Sequence, residues 1–301
     1  MFNRILLPTD FSEGAQRSLG VAKVLARRYG AEVHLVHVDE ERALGMHSSD
    51  DLISFMNEVD SRRAEWMEGV ASELQDEGFT VELGRLEGVA SEQIVRYAAD
   101  FDMDLVVMAT LGHTTLKQLL LGSTVKSVLR HSPCPVLTVN ARLFAEGDWS
   151  PTRVLFPTDF SAPSLGGLPV AAAVSRDFGA KLDLLHVLRA PTYIPAIPGE
   201  PPFYIPRQAF GAAKERSVAD LGELAKRAIL SGLTVDMDVV LAGDTADGIV
   251  TFADERKSDL VVIPRHGGGA LRSMLFGRIA EHVVKNSRAP VLSFLPAGEP
   301  T

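Results

Sequence analysis

The sequence predicts an α/β protein made of two tandem domains, each built on a five-stranded parallel sheet. Short apolar segments alternate with segments of helical spacing along the chain. Strands that alternate with helices imply right-handed crossovers and a parallel sheet covered on both faces. The runs LVVM at residues 105–108 and LVVI at residues 260–263 are continuously apolar, as expected of strands buried on both faces.

An internal duplication predicts the second domain. The segment PTDFS at residues 8–12 recurs at residues 157–161, and His37-Val38 recurs at His186-Val187, in both cases 149 positions later. The segment DLVV at residues 104–107 recurs 155 positions later, so the second copy carries about six extra residues in its middle. Ordered matches at a near-constant offset indicate a repeat. We therefore predict domains at residues 1–141 and 151–301, with a linker around residues 140–152.

Composition excludes several classes of protein. A chain of 301 residues is long enough for about two domains with separate cores. Its net charge of -9 argues against a nucleic-acid partner. A single cysteine, Cys134, excludes an intrachain disulfide framework and fits a reducing compartment. Because the chain has neither a membrane-length apolar run nor a signal-peptide pattern, we expect a cytoplasmic protein with no membrane partner.

The first copy reads as β-α-β-α-β-α-β-α-β. Strands are predicted at residues 4–7, 32–38, 80–86, 105–108 and 136–139, with helices at 12–29, after residue 50, at 91–100 and from 123. Capping oxygens at Asp10 and Ser12 precede the first helix, and Gly30 and Gly78 end the first two. The acidic stretch 39–49 is predicted to be a loop. One face of the long second helix is predicted to carry Leu52, Met56, Val59, Trp66, Val70 and Leu74.

The second copy departs from the first mainly in a proline-rich stretch, residues 189–206. Six prolines are interleaved there with Tyr193, Phe203 and Tyr204. Proline lacks a backbone N–H, so we expect the stretch to resist helix and ladder formation. It could be a solvent-covered loop, or a lid or partner-docking segment.

The loop after the fourth strand is a candidate anion site. Gly112 is followed by nine residues and then by Gly122-Ser123, where a helix begins. Glycine lets the backbone approach an anion closely, and a helix N-terminus favours phosphate. The alternative is that these glycines serve only turn geometry. Ligands of parallel sheets bind at the carboxyl ends of the strands, where residues 8–10, His37-Val38 and this loop all lie.

PTDFS together with the spaced glycines resembles the universal stress protein family, in its tandem two-domain form, over nearly the whole chain. The family's nucleotide motif is Gly-x2-Gly-x9-Gly-Ser/Thr after the fourth strand, with an aspartate after the first. The resemblance implies a Rossmann-like fold, similar to that of adenine nucleotide alpha hydrolases. It also implies ATP as the ligand, with or without magnesium, and a regulatory role in stress responses.

In the first half the resemblance assigns a role to most motif residues. Asp10 resembles the family aspartate, and Val38 the residue whose backbone meets adenine. Ala109 stands where the first glycine is expected, so its methyl group should weaken binding without abolishing it. His113 could donate a hydrogen bond from the phosphate loop or be solvated there. The implied nucleotide-binding residues are Pro8, Thr9, Asp10, Val38, Met108, Ala109, Gly112, His113, Gly122, Ser123 and Thr124.

The second half departs from the motif at two positions, and we expect it to have lost ordinary ATP binding. Pro264 replaces the first glycine and Arg278 replaces the Ser/Thr. Arg278 should meet an anion, water, or a carboxylate such as Asp159, and an inward turn toward Asp159 would plug the pocket. The residues of this degenerate site are Asp159, Val187, Pro264, Gly267, Gly277 and Arg278.

The function expected from these observations is ATP-dependent regulation through conformation or partners, with nucleotide mainly in the first half. Alternatives are a nucleotide-independent scaffold, a small-ligand binder, or a slow ATPase. No GxxxxGK[ST] motif, nucleophile–base set or metal-ligand cluster is readable, so no catalytic residue is assigned. The terminal strands PVLTV and PVLSF are expected to pair the two halves as a pseudo-dimer, and two chains could associate further as a homodimer.

Overall fold

The computed structural model of the chain describes residues 1–40, 50–110, 121–144, 149–190, 193–194, 203–204, 207–265 and 276–295. The chain divides into two compact units, the first containing residues 1–142 and the second residues 150–300. Within the described ranges, no helix is both long and apolar enough to span a membrane.

The first unit alternates strands and helices as predicted, and its strands pair in parallel in the order β5-β4-β1-β2-β3. This confirms the predicted α/β class. Its elements are β1 (Arg4–Pro8), α1 (Glu13–Tyr29), β2 (Glu32–Asp39), α2 (Asp50–Asp76), β3 (Val81–Glu87), α3 (Ala90–Asp100), β4 (Leu105–Ala109), α4 (Ser123–His131) and β5 (Val136–Val139).

Single residues determine where α1 begins and where it ends. Ser12 caps its start, because the Ser12 hydroxyl accepts a hydrogen bond from the backbone N–H of Ala15 at 3.2 Å. Gly30 ends it in the left-handed conformation, with φ 63°. Both caps confirm the sequence prediction. Asp39 was predicted to open a loop but ends β2, because it pairs with Glu87 of β3.

The second unit has the same five-stranded parallel arrangement, in the order β12-β11-β6-β7-β10. It begins with β6 (Arg153–Pro157), α5 (Ala162–Leu165), α6 (Leu168–Phe178), β7 (Lys181–Arg189), β8 (Tyr193–Ile194) and β9 (Phe203–Tyr204). It continues with α7 (Gly211–Ala225), β10 (Val235–Ala242), α8 (Thr245–Arg256), β11 (Leu260–Pro264), α9 (Arg278–Asn286) and β12 (Val291–Phe294), and short 3-10 turns lie at Arg207–Phe210 and Ala228–Leu230.

The proline-rich stretch forms a short ladder, so the expectation that it resists pairing is wrong. Strands β8 and β9 pair antiparallel, with Tyr193 opposite Tyr204 and Ile194 opposite Phe203. All six prolines lie outside these two strands. The four paired residues each retain a backbone N–H, which a ladder requires.

A glycine in the second unit accommodates a large terminal aromatic residue. Gly167 lies between α5 and α6, and a Cβ built on it would fall 2.0 Å from the ring of Phe294 in β12. The repeat places Ser18 and Val139 at the matching positions of the first half. The larger Phe294 therefore requires a residue without a side chain opposite it.

In each unit the strand order reverses at the central strand, β1 in the first unit and β6 in the second. From β1 the chain proceeds to β2 and β3 on one side and then to β4 and β5 on the other. In the second unit β6 lies between β7 and β11 in the same way. Such a reversal of strand order opens a crevice between the loops that leave the two neighbouring strands. In each unit, the described candidate site residues lie around that unit's own crevice.

Candidate functional site

A cavity of about 350 Å³ lies at the carboxyl ends of β1, β2 and β4 in the first unit. Its volume falls within the usual range of small-molecule sites. Gly112 and His113 lie outside the described residues. The cavity brings together the other predicted residues of the first site, which are Pro8, Thr9, Asp10, Val38, Met108, Ala109, Gly122, Ser123 and Thr124.

The turn from β1 to α1 presents Asp10 to this cavity and is held by its own side chains. The hydroxyl of Thr9 accepts a hydrogen bond from the backbone N–H of Phe11 at 3.1 Å. One oxygen of Asp10 accepts from both the backbone and the hydroxyl of Ser12. Phe11 adopts φ 64°, a left-handed conformation that costs a non-glycine residue free energy and is concentrated at functional sites. The PTDFS motif therefore encodes a specific, strained turn.

His37 holds this turn from the neighbouring strand. Its Nδ1 lies 2.8 Å from the carbonyl oxygen of Thr9, and a carbonyl only accepts, so Nδ1 carries the proton. The ring packs 4.5 Å from that of Phe11. Burial lowers the pKa of His37 below its ordinary value. Protonation would also bury an N–H at Nε2, for which the described residues offer no acceptor. The neutral ring therefore locks Thr9 and Phe11 and, through them, the backbone of Asp10.

A cluster of charged residues that the sequence interpretation missed adjoins the cavity. Nη1 of Arg63 lies 3.9 Å from a carboxylate oxygen of Asp39 and 3.7 Å from one of Asp60, and Arg85 lies 3.9 Å from Asp60. Both aspartates are buried, and Arg63 lines the cavity. Asp60 and Arg63 occur three residues apart beside the predicted apolar face of α2, where i,i+3 neighbours share a surface. The i,i+3 spacing of Asp60 and Arg63 was the sequence feature from which this charged cluster could have been predicted.

The beginning of α4 supplies the end of the cavity predicted to hold phosphate. Gly122 precedes the helix with φ −58° and ψ 146°, a conformation open to any residue, and no described side chain caps the helix. Among the described residues, a Cβ on Gly122 would meet only the oxygen of Thr110 at 3.5 Å and a methyl group of Val125 at 3.9 Å. Turn geometry therefore does not require glycine at this position. The first N–H groups of a helix have no intrahelical acceptor, so they can bind an anion.

The second unit contains a matching cavity of about 450 Å³. Phe160 repeats the left-handed conformation of Phe11, with φ 63°. Nδ1 of His186 lies 2.8 Å from the carbonyl oxygen of Thr158, and its ring stacks on Phe160 at 4.8 Å. Gly267 lies outside the described residues. The other predicted residues of the second site all line this cavity, namely Asp159, Val187, Pro264, Gly277 and Arg278.

Arg278 does not turn inward toward Asp159, so the plugged pocket considered from the sequence is not formed. Its side chain is 84% exposed and pairs with Asp244 at 3.3 Å. Asp244 caps α8 by accepting hydrogen bonds from two backbone N–H groups, which hold the pKa of its carboxyl below the ordinary value. Asp159 is engaged by Ser161 of its own turn. The carboxylate of Asp244 thus holds the guanidinium of Arg278 at the exposed rim of the cavity.

The sequence pattern of the universal stress protein family matches residues 1–140 and again residues 151–294. The chain belongs to the universal stress protein family. This confirms the resemblance that PTDFS and the spaced glycines indicate.

Individual relatives agree with this assignment. Universal stress protein MJ0577 of Methanocaldococcus jannaschii is 34% identical over 157 residues, which cover 47% of this chain and 97% of that protein. Universal stress protein Slr1230 of Synechocystis is 24% identical over 312 residues, covering 96% of this chain and 99% of the relative. The structure of a universal stress protein from Archaeoglobus fulgidus superimposes with a TM-score of 0.70 at 21% identity, covering 99% of this chain and 98% of that one. This last similarity concerns the fold.

Within the described residues, no group of three or more His, Cys, Asp or Glu side chains could hold a metal ion. A magnesium ion that accompanies a nucleotide is commonly held by phosphate oxygens, waters and one or two carboxylates. Magnesium with ATP stays a prediction from the resemblance.

Proposed function

We propose that this universal stress protein binds ATP in its first unit and acts as a regulator through conformation or partners. The observation that carries the proposal is the cavity that unites Asp10, Val38 and the start of α4. These three groups have the chemistry that the three parts of a nucleotide require. This regulatory role requires ATP binding and does not require ATP hydrolysis.

The cavity offers a suitable environment for each part of the ligand. Buried Ile94 and Met108 provide apolar walls beside Val38 for a purine base. A carboxylate such as Asp10 can accept hydrogen bonds from ribose hydroxyls. The N-terminal N–H groups and the two hydroxyls of Ser123 and Thr124 suit phosphate oxygens. This arrangement follows the order in which the resemblance assigns adenine, ribose and phosphates.

The test is calorimetry with ATP on the full chain, together with mass spectrometry of any nucleotide that co-purifies. We expect one ATP per chain. Asp10→Ala should weaken that binding, whereas Asp159→Ala should not. The two variants are matched, because each removes the same bond to a serine of its turn. If the two variants lose ATP equally, or neither does, the first-unit assignment fails. Phosphate release measured in the same samples would reveal slow hydrolysis.

The remaining partner assignments rest on the sequence. We propose a cytoplasmic protein whose ligand is an adenine nucleotide and whose net charge of -9 disfavours nucleic acid. Pairing through the terminal strands, and homodimer formation, stay predictions. Sedimentation of the full chain with and without ATP would establish its oligomeric state.

A further inference from the structure

The first unit contains another cavity, of about 370 Å³, at the amino end of its sheet. It lies where β1, β2 and β3 begin and where α3 ends, and we call it the amino-end cavity. Its described lining includes the four carboxylates of Glu32, Glu82, Asp100 and Asp102, against the one guanidinium of Arg4. Like charges brought together around a concave surface sum to a strong local potential. The amino-end cavity is therefore negative.

The end of α3 adds to this negative potential. A helix C-terminus carries a partial negative charge and is stabilised by basic residues in the last turn. The last turn of α3 contains no basic residue, Asp100 is its final residue and Asp102 follows shortly after. Arg96 pairs with Asp100 at 3.3 Å from one turn earlier. Two carboxylates thus lie where helix stability favours cations, which indicates a role other than holding the helix.

The second unit shows how the chain can neutralise the same place in the fold. Strand register places Lys181 where the first unit has Glu32. Lys181 pairs there with Asp236, and Arg153 pairs with the buried Asp183. The carboxylates at this edge of the second sheet are therefore matched by cations of the chain itself. In the first unit a carboxylate replaces the lysine, so the charge at this position changes sign.

The helix ends differ between the two units in the same direction. Arg256 and Lys257 occur 155 positions after Phe101 and Asp102, at the end of α8. Lys257 and Asp102 share a left-handed backbone, with φ 53° and 48°, so the two positions are structurally equivalent. Arg256 pairs with Asp238 at 2.7 Å. The first unit thus has an aromatic ring and a carboxylate where the second has two cations, and a cation from outside the chain would restore the balance of charge.

A buried histidine of the amino-end cavity has a ring nitrogen that forms no hydrogen bond with the described residues. His34 is 5% exposed, and its Nδ1 lies 2.9 Å from the hydroxyl of Tyr97. Its Nε2 is buried without a hydrogen bond, although an oxygen of Glu32 lies 3.5 Å away. When Nδ1 donates to Tyr97, Nε2 presents a lone pair to which an ammonium group can donate. Burial raises the pKa of Tyr97, and the negative charges of Glu82 and Glu32 raise it further.

Aromatic rings make the amino-end cavity better suited to an organic cation than to a metal ion. The rings of Tyr97 and Phe101 stack with their centres 4.2 Å apart, and Phe101 is 48% exposed. An accessible aromatic face attracts an ammonium group and the methylene groups next to it. In the part of the chain that the structure describes, no group of three or more His, Cys, Asp or Glu could hold a metal ion. The lining therefore favours an amine.

We propose that the amino-end cavity binds a small aliphatic cation with two or more amino groups, of the polyamine class. Glu32 and Glu82 come from strands, whereas Asp100 and Asp102 come from the end of α3, so separate ammonium groups can meet each pair. The methylene chain between them packs against Phe101. The volume of the cavity suits a small molecule. Because this site lies at the edge of the sheet opposite the candidate nucleotide site, it does not depend on the proposed function.

Titration calorimetry of spermidine into the full wild-type chain tests the proposal. Nucleotide is omitted, because a polyamine would also bind ATP itself. We expect one equivalent of spermidine to bind, and 1-aminobutane to bind about tenfold more weakly or less, since it can meet only one pair of carboxylates. No binding, or several weak equivalents, would overturn the site. Equal affinity for 1-aminobutane would overturn the requirement for two amino groups, and displacement by an equal concentration of magnesium would overturn the choice of an organic cation.

Isosteric variants of the full chain locate the bound amine. The double variant Glu82→Gln, Asp102→Asn keeps the side-chain volumes, and asparagine tolerates the left-handed backbone at this position. It should weaken spermidine by about two- to thirtyfold. Phe101→Leu keeps an apolar residue but removes the aromatic face, and should weaken spermidine by about two- to fivefold.

The control is Glu215→Gln with Asp220→Asn, which removes the same net charge from exposed positions of α7. Its affinity for spermidine should equal that of the wild type. Equal weakening in the control and in the Glu82→Gln, Asp102→Asn variant would mean diffuse attraction to an acidic protein and would overturn the inference. Wild-type affinity in a folded Glu82→Gln, Asp102→Asn variant, with circular dichroism unchanged, would overturn it as well. ATP titrated into the same variants should bind as to the wild type, so loss of the amine and loss of the nucleotide are separately visible.

Discussion

Gly122→Val should separate nucleotide binding from folding in the first unit. Gly122 has an ordinary extended backbone, and a Cβ there would approach only two described atoms, at 3.5 and 3.9 Å. Replacing a tolerated N-cap residue with an apolar one costs about 1 kcal/mol. For a folding unit of about 150 residues, that corresponds to a fall in Tm of about 2–4 °C.

The effect on ATP should be much larger than the effect on stability. The branched side chain would occupy space beside the first N–H groups of α4, where the phosphates are proposed to lie. Losing one hydrogen bond to a charged group costs about 1.5–3 kcal/mol, which is about 10- to 150-fold in Kd. Calorimetry with ATP, alongside thermal unfolding of the same sample, would measure both quantities.

Gly277→Val is the matched control. Gly277 occupies the same place before α9, with φ −64° and ψ 139°. Its substitution should change stability by a similar small amount and leave the affinity of the first unit for ATP unchanged. A folded Gly122→Val protein with wild-type affinity would refute the location of the phosphate site. Equal losses in the two variants would mean that the effect is not local.

Three further predictions concern packing, pH and a buried charge. Gly167→Ala should destabilise the protein by about 1–3 kcal/mol in urea unfolding, whereas Gly222→Ala, where a Cβ would meet no described atom within 4 Å, should stabilise it by about 0.5–1 kcal/mol. Burial lowers the pKa of His37 in the folded protein, so the unfolded chain binds the proton at a higher pH than the folded one does. The free energy of unfolding should therefore decrease as the pH drops below about 6.5. This decrease should be less steep in His37→Asn. Arg153→Ala should cost about 3–5 kcal/mol by chemical denaturation, because it leaves the fully buried Asp183 without the guanidinium at 2.8 Å from both oxygens.

Local patterns were sufficient to predict the helices and strands that surround the candidate site. Ser12 caps α1 and Gly30 ends it because capping depends on residues adjacent in sequence. The runs at residues 105–108 and 260–263 form buried central strands, since only strands covered on both faces are continuously apolar. Parallel pairing then brings the carboxyl ends of β1, β2 and β4 together, so nine predicted residues lie around one cavity.

Contacts between distant elements were not predictable in the same way. The pairing of Arg278 with Asp244 depends on how the start of α9 approaches the cap of α8, and these residues are 34 positions apart. The charged cluster of Asp39, Asp60 and Arg63 joins α2 to the last residue of β2, two elements whose contact the sequence does not reveal. A charged side chain takes whichever opposite charge the fold brings within reach, and sequence spacing does not specify which one that is.

The sequence by itself determined the α/β class, the duplication, the family and the candidate residues that line the two cavities, because apolar periodicity and motif spacing are properties of the chain. Tertiary structure decided which side chains face each cavity and what occupies its rim. The left-handed turn at Phe11 and Phe160, each held by a histidine from the next strand, required the packed sheet. The exposed orientation of the Arg278 side chain also depends on tertiary structure, because it is set by the ion pair with Asp244. Backbone strain and ion pairing depend on residues that are close in space but distant in sequence, and motif spacing therefore does not reveal them.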